Sequence, residues 1–269
     1  MSQKINFVKM HGLGNDFVII NRRDLPNNCN LQQLSLVISN RRTGIGCDQF
    51  IIYDKKNAHY EMTIYNQDGS IAKLCGNASR CVAKLIYLDL GQKKVTLKIN
   101  GKELFCQISG ENDISVDVGI VSFQENWMPP LERIWSIMER YVIDLKEVIY
   151  ADIGNPHLVI FSNLSDQDKE IVGTELQKKG LFEEGINVNF ASVKNNKIYL
   201  SVWERGAGLT LACGSGACAS FASAIKLGFI TDPCEVIFAL GSLKMSKHGE
   251  NIIMTGSANL VANGEFIYE

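Results

Sequence analysis

Cys75-Gly76-Asn77-Ala78-Ser79-Arg80-Cys81 and Cys213-Gly214-Ser215-Gly216-Ala217-Cys218 are the two stretches whose likeness decides the architecture. Each reads Cys-Gly, then small or polar residues, then a second cysteine inside an apolar helical pattern. Val82, Leu85, Ile86 and Asp89 continue the first as one stripe, and Gly91 is the matching stop. Cys218, Phe221, Ala222 and Ile225 continue the second at i, i+3, i+4 and i+7, and Gly228 ends it. The leading cysteines lie 213 − 75 = 138 positions apart in a chain of 269 residues, close to half its length. Duplication is the simplest account. It predicts two similar domains, each presenting one Cys-Gly at a helix N-terminus, with the two thiols meeting across a cleft.

Outside these helices apolar and polar residues alternate, the period of a half-buried strand. Tyr60, Met62 and Ile64 form one such set; Val95, Leu97 and Ile99, then Leu104, Cys106 and Ile108, form two more. Ile198, Leu200 and Val202, and Val236, Phe238 and Leu240, repeat the style in the second half. Asn100-Gly101, set between two alternating runs, predicts a hairpin. Antiparallel sheet is expected to dominate. Residues 31–40, 131–141 and 166–179 carry further helical patterns, and 121–130, ending in Pro129-Pro130, reads as the linker.

Composition narrows the function classes. Hydrophobic residues make up 46% and charged residues 21%, enough to bury a core and too little charge for a disordered chain. The net charge of −2 argues against nucleic acid or an anionic membrane as partner. Residues 206–225 are uncharged, but eight of these 20 positions are glycine, serine or threonine, which suits a loop entering a packed helix better than a membrane span. Eight cysteines in so long a chain, with no apolar signal segment at its start, point to a reduced, cytoplasmic protein and not to a disulfide scaffold.

Helix N-termini present unpaired N–H groups and the positive end of the macrodipole, so Cys75 and Cys213 are expected to be acidified. The glycine after each lets backbone N–H groups approach a ligand carboxylate. Two thiolates in one small site repel, which leaves one thiolate and one thiol. One base and one acid of the same kind can invert a stereocentre, the first taking a proton from carbon and the second returning one to the opposite face. Arg205 suits a carboxylate and Glu204 an ammonium, as an amino-acid ligand would need. Cys29, Cys47, Cys81, Cys106, Cys218 and Cys234 read as packing. No metal site is expected, because Cys-x5-Cys and Cys-x4-Cys are not zinc spacings and the four histidines are scattered. Two rival readings stay open: a proline racemase-like enzyme with the same thiols, and a non-catalytic thiol redox or metal-binding module.

In order along nearly the whole chain, the motifs resemble those of the diaminopimelate epimerase family. They are Lys9-Met10-His11-Gly12-Leu13-Gly14-Asn15-Asp16-Phe17, Gly44-Ile45-Gly46-Cys47-Asp48-Gln49, Asn66-Gln67-Asp68-Gly69-Ser70 and Cys75-Gly76-Asn77 with Arg80-Cys81. Gly154-Asn155-Pro156-His157, Asn187-Val188-Asn189-Phe190, Glu204-Arg205-Gly206 and Ala212-Cys213-Gly214-Ser215-Gly216 complete the set. The resemblance implies an α+β fold of two pseudo-symmetric domains, each a mostly antiparallel sheet wrapped round a central helix. Their expected spans are 1–122 and 123–261, with a C-terminal strand, 262–269, returning to the first. It implies interconversion of LL- and meso-2,6-diaminopimelate, in lysine and peptidoglycan precursor synthesis, without pyridoxal phosphate or metal. Cys75 and Cys213 match the proton-transfer residues, the former as donor and the latter as acceptor in one direction. Asn15, Gln49, Asn66, Gly76, Asn77, Asn155, Asn187, Glu204, Arg205, Gly214 and Ser215 match substrate-binding positions. His157 and Glu204 match residues that tune the thiols. A homodimer is also implied. Three positions depart from the family pattern: Ala78 for glycine, Leu209 for glutamate, and Ala262 for a tyrosine of the dimer contact.

Overall fold

The computed structural model describes residues 3–178 and 180–268. In chain order these form β1 (Gln3–Gly12), β2 (Asn15–Asn21), α1 (Leu31–Ser39), β3 (Gln49–Lys55), β4 (Tyr60–Asn66), α2 (Gly76–Leu90), β5 (Lys94–Ile99), β6 (Lys102–Gly110) and β7 (Asp113–Gly119). Then come α3 (Trp135–Arg140), β8 (Val148–Asp152), β9 (Pro156–Phe161), α4 (Asp166–Leu176), β10 (Asn187–Lys194), β11 (Lys197–Glu204) and β12 (Gly208–Thr210). The chain closes with α5 (Gly214–Lys226), β13 (Cys234–Phe238), β14 (Gly241–His248), β15 (Asn251–Gly256) and β16 (Asn259–Tyr268). Two compact units result, one reaching to Asp117 and resuming at Thr255, the other spanning Val118–Met254.

In the first unit the strand order is β16-β1-β2-β3-β4-β5-β6-β7. β2/β3 and β4/β5 are parallel and the remaining pairs antiparallel. In the second the order is β15-β14-β13-β11-β10-β9-β8, with β9/β10 and β11/β13 parallel and β12 paired to β11. A parallel pair needs a crossover, and a helix supplies each: α1, α2, α4 and α5 in turn. Each unit therefore writes the same sequence of pairings round its second crossover helix. This is the duplicated, α+β architecture expected, with parallel pairs wherever a helix intervenes.

The two central helices are not amphipathic in the one-stripe sense. Residues 76–84 of α2 and 216–224 of α5 are buried on every face. Small side chains make this possible: Ala78, Ser79 and Ala83 in α2, and Ala217, Ala219, Ser220, Ala222, Ser223 and Ala224 in α5. Strands can then close round the helix with little side-chain volume between. The second unit has its own core beside α5, where Ile137, Met138, Tyr150, Leu158, Val172, Leu176, Phe182 and Phe190 pack together.

Local chemistry sets the element ends. Asn30 and Ser165 cap α1 and α4 by accepting from Gln33 N and Asp168 N. Asn100 and Gly101 both take positive φ, 49° and 81°, the conformation of a two-residue hairpin turn between β5 and β6. The helix expected at 131–141 is split, a 3-10 turn over Leu131–Ile134 preceding α3. The end expected for α4 at residue 179 lies outside the described residues.

Residues 121–130 are not a free linker. Ser122 and Asp152 exchange backbone hydrogen bonds of 2.8 Å, and Trp127 packs on the second core while its Nε1 donates to Asp152 Oδ2 at 2.8 Å. Those contacts draw the segment after Asp117 into the second unit. Ser257 and Ala258 accept hydrogen bonds from Arg80 and Lys84 of α2, so the return to the first unit is made before β16 begins. The units thus divide at 117/118 and 254/255, ahead of the 122/123 and 261/262 expected.

Helices α3 and α5 end in the same pair of bonds. Ile143 N donates to Met138 O and Val142 N to Glu139 O; Phe229 N donates to Ala224 O and Gly228 N to Ile225 O. Gly228 accepts the required positive φ without strain, whereas Val142 holds φ 54° with its side chain 93% exposed. A β-branched residue there carries the left-handed penalty and gains no packing. Val142→Gly is expected to stabilise the protein by about 1 kcal/mol, read as a higher urea midpoint.

Candidate active site

In the first unit β2 and β3 start side by side, because they are parallel, and β4 ends beside them, because it is antiparallel to β3. Asn15, Gln49 and Asn66 therefore gather at one end of the sheet. Gln49 Nε2 donates to Asn66 Oδ1 at 3.0 Å, and Asn66 Nδ2 to Ser70 Oγ at 3.0 Å. Cys75 stands at the N-cap of α2 with extended backbone, and its thiol lies 3.7 Å from Asn15 Oδ1. Gly76 and Asn77 form the first turn, and Asn77 Nδ2 reaches Asn15 Oδ1 at 3.3 Å.

The second unit repeats the layout. β9 and β10 start together, with Asn187 opposite His157, and β11 ends at Glu204. Asn155, Asn187, Glu204 and Cys213 hold the places that Asn15, Gln49, Asn66 and Cys75 hold in the first unit. Cys213 is the N-cap of α5, and its Sγ accepts from Gly216 N at 3.4 Å and meets Ser215 Oγ at 3.4 Å. Ser215 Oγ lies 3.1 Å from His157 Nε2, and His157 Nδ1 meets the Asn189 amide at 3.1 Å. Asn155 Oδ1 is 3.2 Å from His157 Nε2, and Asn155 Nδ2 donates to Ser215 Oγ at 3.4 Å. Asn187 accepts from Arg205 N at 3.1 Å and donates to Pro156 O at 2.9 Å, pinning the start of β10 to the end of β11.

The structure gathers the residues expected from sequence into two groups of this kind. Arg205 is committed elsewhere in this state, its guanidinium bonded to Glu184 O over the turn at Gly185, where an added Cβ would lie 2.8 Å from Arg205 Cδ. Glu204 Oε1 receives the Thr210 hydroxyl from β12, the short strand on which the departing Leu209 sits half-buried opposite Trp203. Ala78 is wholly buried inside α2.

Three participants were missed. Asn189 is one; its partnership with His157 was available from strand period, since it shares a face with Asn187 two positions earlier. An added Cβ at Gly216 would lie 2.8 Å from Asn189 Oδ1, so the glycine is needed for this close approach. Asp48 had no local signal, because Asn15 lies 33 positions away; Thr210 meets Glu204 only through the short β11/β12 pairing.

Electrostatics corrects one expectation. Burial, and then the Glu204 carboxylate, pushes the Cys213 thiol well above its ordinary 9.0, although the Ser215 hydroxyl and the Gly216 N–H both favour the thiolate. The helix N-terminus acts on this sulfur, but desolvation outweighs it. Cys213 in the ligand-free chain is a thiol. Burial likewise holds His157 down at about 4, so its imidazole is neutral at pH 7.

A family model for diaminopimelate epimerase matches residues 7–124 and 149–261. The chain belongs to the diaminopimelate epimerase family. Diaminopimelate epimerases of Rickettsia felis and of Rickettsia bellii are each 64% identical to it over 269 residues, covering all of both chains. Among solved structures, a predicted epimerase from Pseudomonas aeruginosa superposes with a TM-score of 0.74 at 14% identity, covering 98% of this chain and all of that one. A hydroxyproline epimerase from Agrobacterium vitis, solved with bound trans-4-hydroxy-L-proline, gives 0.65 at 11% identity over 98% of this chain and 92% of its own. These distant structures share the fold. Membership of the epimerase family sets aside the non-catalytic thiol module.

His157 also makes stability pH-dependent. Its folded value of about 4 lies below the ordinary 6.5, so between these the unfolded chain binds a proton that the native chain refuses. Stability therefore falls as pH drops below about 6.5 and levels off below about 4. At pH 5 this contribution is about 2 kcal/mol lower than at pH 7. Urea titrations at the two pH values should show that difference in the native chain and its loss in His157→Gln.

Proposed function

We propose that this protein interconverts LL- and meso-2,6-diaminopimelate, with Cys75 and Cys213 exchanging protons with opposite faces of one α-carbon. Full-length identity of 64% to diaminopimelate epimerases carries the substrate assignment. Two thiols, each the N-cap of a duplicated helix at a polar sheet end, support the mechanism.

In one direction the Cys213 thiolate takes the α-proton. The C–H electron pair moves toward the carboxylate, and the Cys75 S–H places its proton on the other face. Cys75 is left as thiolate and Cys213 as thiol, so the reverse reaction starts from the opposite state. Cys213 must first lose its proton. The Glu204 charge opposes this in the empty protein, and a substrate ammonium paired with Glu204 would cancel that opposition. The basic form then arises where substrate is bound. Backbone N–H groups after each cysteine, at Gly76 and Gly214, suit the charge that builds on the carboxylate. Asn15, Gln49, Asn66 and Asn77 of the first unit, with Asn155, Asn187, Glu204, Arg205 and Ser215 of the second, supply the remaining polar contacts. His157, neutral and bonded to Ser215, acts as a hydrogen-bonding group and not as a cation.

The reduced protein in deuterated water should load deuterium at one α-carbon of LL-diaminopimelate; no exchange would sink the assignment. Cys75→Ala and Cys213→Ala should each lower epimerisation by about 10²–10⁴-fold.

We further place the enzyme in the cytoplasm as a homodimer. No described helix is long and apolar enough to cross a membrane. β16 ends the strand order of its unit and leaves Leu260, Val261 and Ile267 half exposed, an apolar face suited to a second copy. Sedimentation velocity should give a dimer, and Val261→Asp should shift it toward monomer.

A further inference from the structure

Asn15 is the link between the Cys75 thiol and an ionic network behind it. Its Nδ2 donates to Asp48 Oδ2 at 3.0 Å, and the same oxygen accepts from Asp16 N at 3.1 Å. Asp48 Oδ1 receives Arg41 Nη2 at 2.7 Å. Arg41 also bonds Asp16, which Lys9 holds from the other side. Burial works against ionising Asp16, but hydrogen bonds from Arg41 and Lys9 overcome it and bring the carboxyl down to about 2. Asp16 stays charged at neutral pH.

A carboxylate can only accept, so the amide nitrogen of Asn15 must face Asp48. Its carbonyl oxygen must then face the other way, toward Asn77 Nδ2 at 3.3 Å and Cys75 Sγ at 3.7 Å. The far end imposes the same direction. Arg80 Nη2 donates to Asn77 Oδ1 at 2.9 Å, and a guanidinium can only donate, so the Asn77 nitrogen must face Asn15. Hydrogen bonds run one way from Arg80 through Asn77 and Asn15 to Asp48, each polarising the next. Arg80 is wholly buried and anchored through Nε to Ser257 O at 3.2 Å. A Cβ at Gly12 would come within 3.0 Å of its Nη2. Neither amide can turn over without facing like against like.

We propose that Asp48 and Arg80 are positioning residues that lock the Asn15 carbonyl onto Cys75, so that this sulfur rests as a thiol and serves as the acid. Toward that oxygen the sulfur can act only as a donor, which favours S–H over S⁻. The role rests on the proton transfer proposed above for Cys75. The matching place in the second unit has no such amide chain: Cys213 meets the Ser215 hydroxyl, the Gly216 N–H and the Glu204 carboxylate.

The test is site-resolved alkylation of the full-length, reduced, substrate-free protein by iodoacetamide across pH, read by mass spectrometry. Half-buried Cys29 in the same molecules is the internal reference. Asp48→Ala removes the acceptor of the Asn15 nitrogen and leaves Asn77 alone to orient the Asn15 carbonyl, so that oxygen is held less firmly on the sulfur and the Cys75 midpoint should fall by about one pH unit while that of Cys29 stays in place. Asp48→Asn drops the charge but keeps an oxygen for the Asn15 nitrogen, and should restore the native Cys75 midpoint. If Asp48→Asn moves as far as Asp48→Ala, charge alone is responsible and the proposal fails. It fails also if neither moves. Should Asp48→Ala not fold, Asp48→Leu, similar in shape and without an acceptor, takes its place. The readout needs no substrate, so absence of deuterium exchange by the native chain would overturn the function and leave this inference to its own result.

Discussion

A helix buried on every side has room only for small side chains, and its first N–H groups still have to be satisfied. α2 and α5 both meet this constraint, and most of the molecule follows from it. Alanine, serine and glycine let the strands close round each helix. The helix starts at a sheet end, and polar side chains of the neighbouring strand ends collect there. A cysteine occupies the cap, and amides from the neighbouring strand ends stand beside it. Each polar cluster is a consequence of burying a helix N-terminus.

The same burial decides how the sulfur behaves. A helix dipole stabilises a thiolate by an amount that falls off within a turn, whereas desolvation acts on the whole charge. At Cys213 the Gly216 N–H and the Ser215 hydroxyl pull one way, and burial with the Glu204 carboxylate pulls harder the other way. A sulfur held as thiol is protected from alkylation and oxidation, which require thiolate.

The two units are matching scaffolds that carry different side chains. Asn66 ends β4 where Glu204 ends β11, and the amide pair Gln49–Asn66 stands where the second unit has Asn187 and a carboxylate. Behind Cys75 lies a directional amide chain anchored by opposite charges; behind Cys213 lie a serine and a neutral histidine. Backbone pairing order is shared, and the chemistry offered to each sulfur is not. Identical thiols can thereby take unlike roles.

Sequence by itself determined the repeat, the two capping cysteines, the polar strand ends and the family, because these depend on spacing and on local turn chemistry. Asn100-Gly101 and Gly228 adopt the backbone their residue types favour, so those ends were legible. The linker expected at 121–130 was not, since Trp127 and Ser122 are committed by bonds to Asp152, more than twenty residues away. Nor was the protonation of Cys213, which depends on how much water the fold removes from a sulfur. Tertiary structure alone placed Asp48 behind Asn15 and Asn15 beside Asn77. Hydrogen bonds between distant residues have direction, and only when both ends are brought together does the chain acquire one.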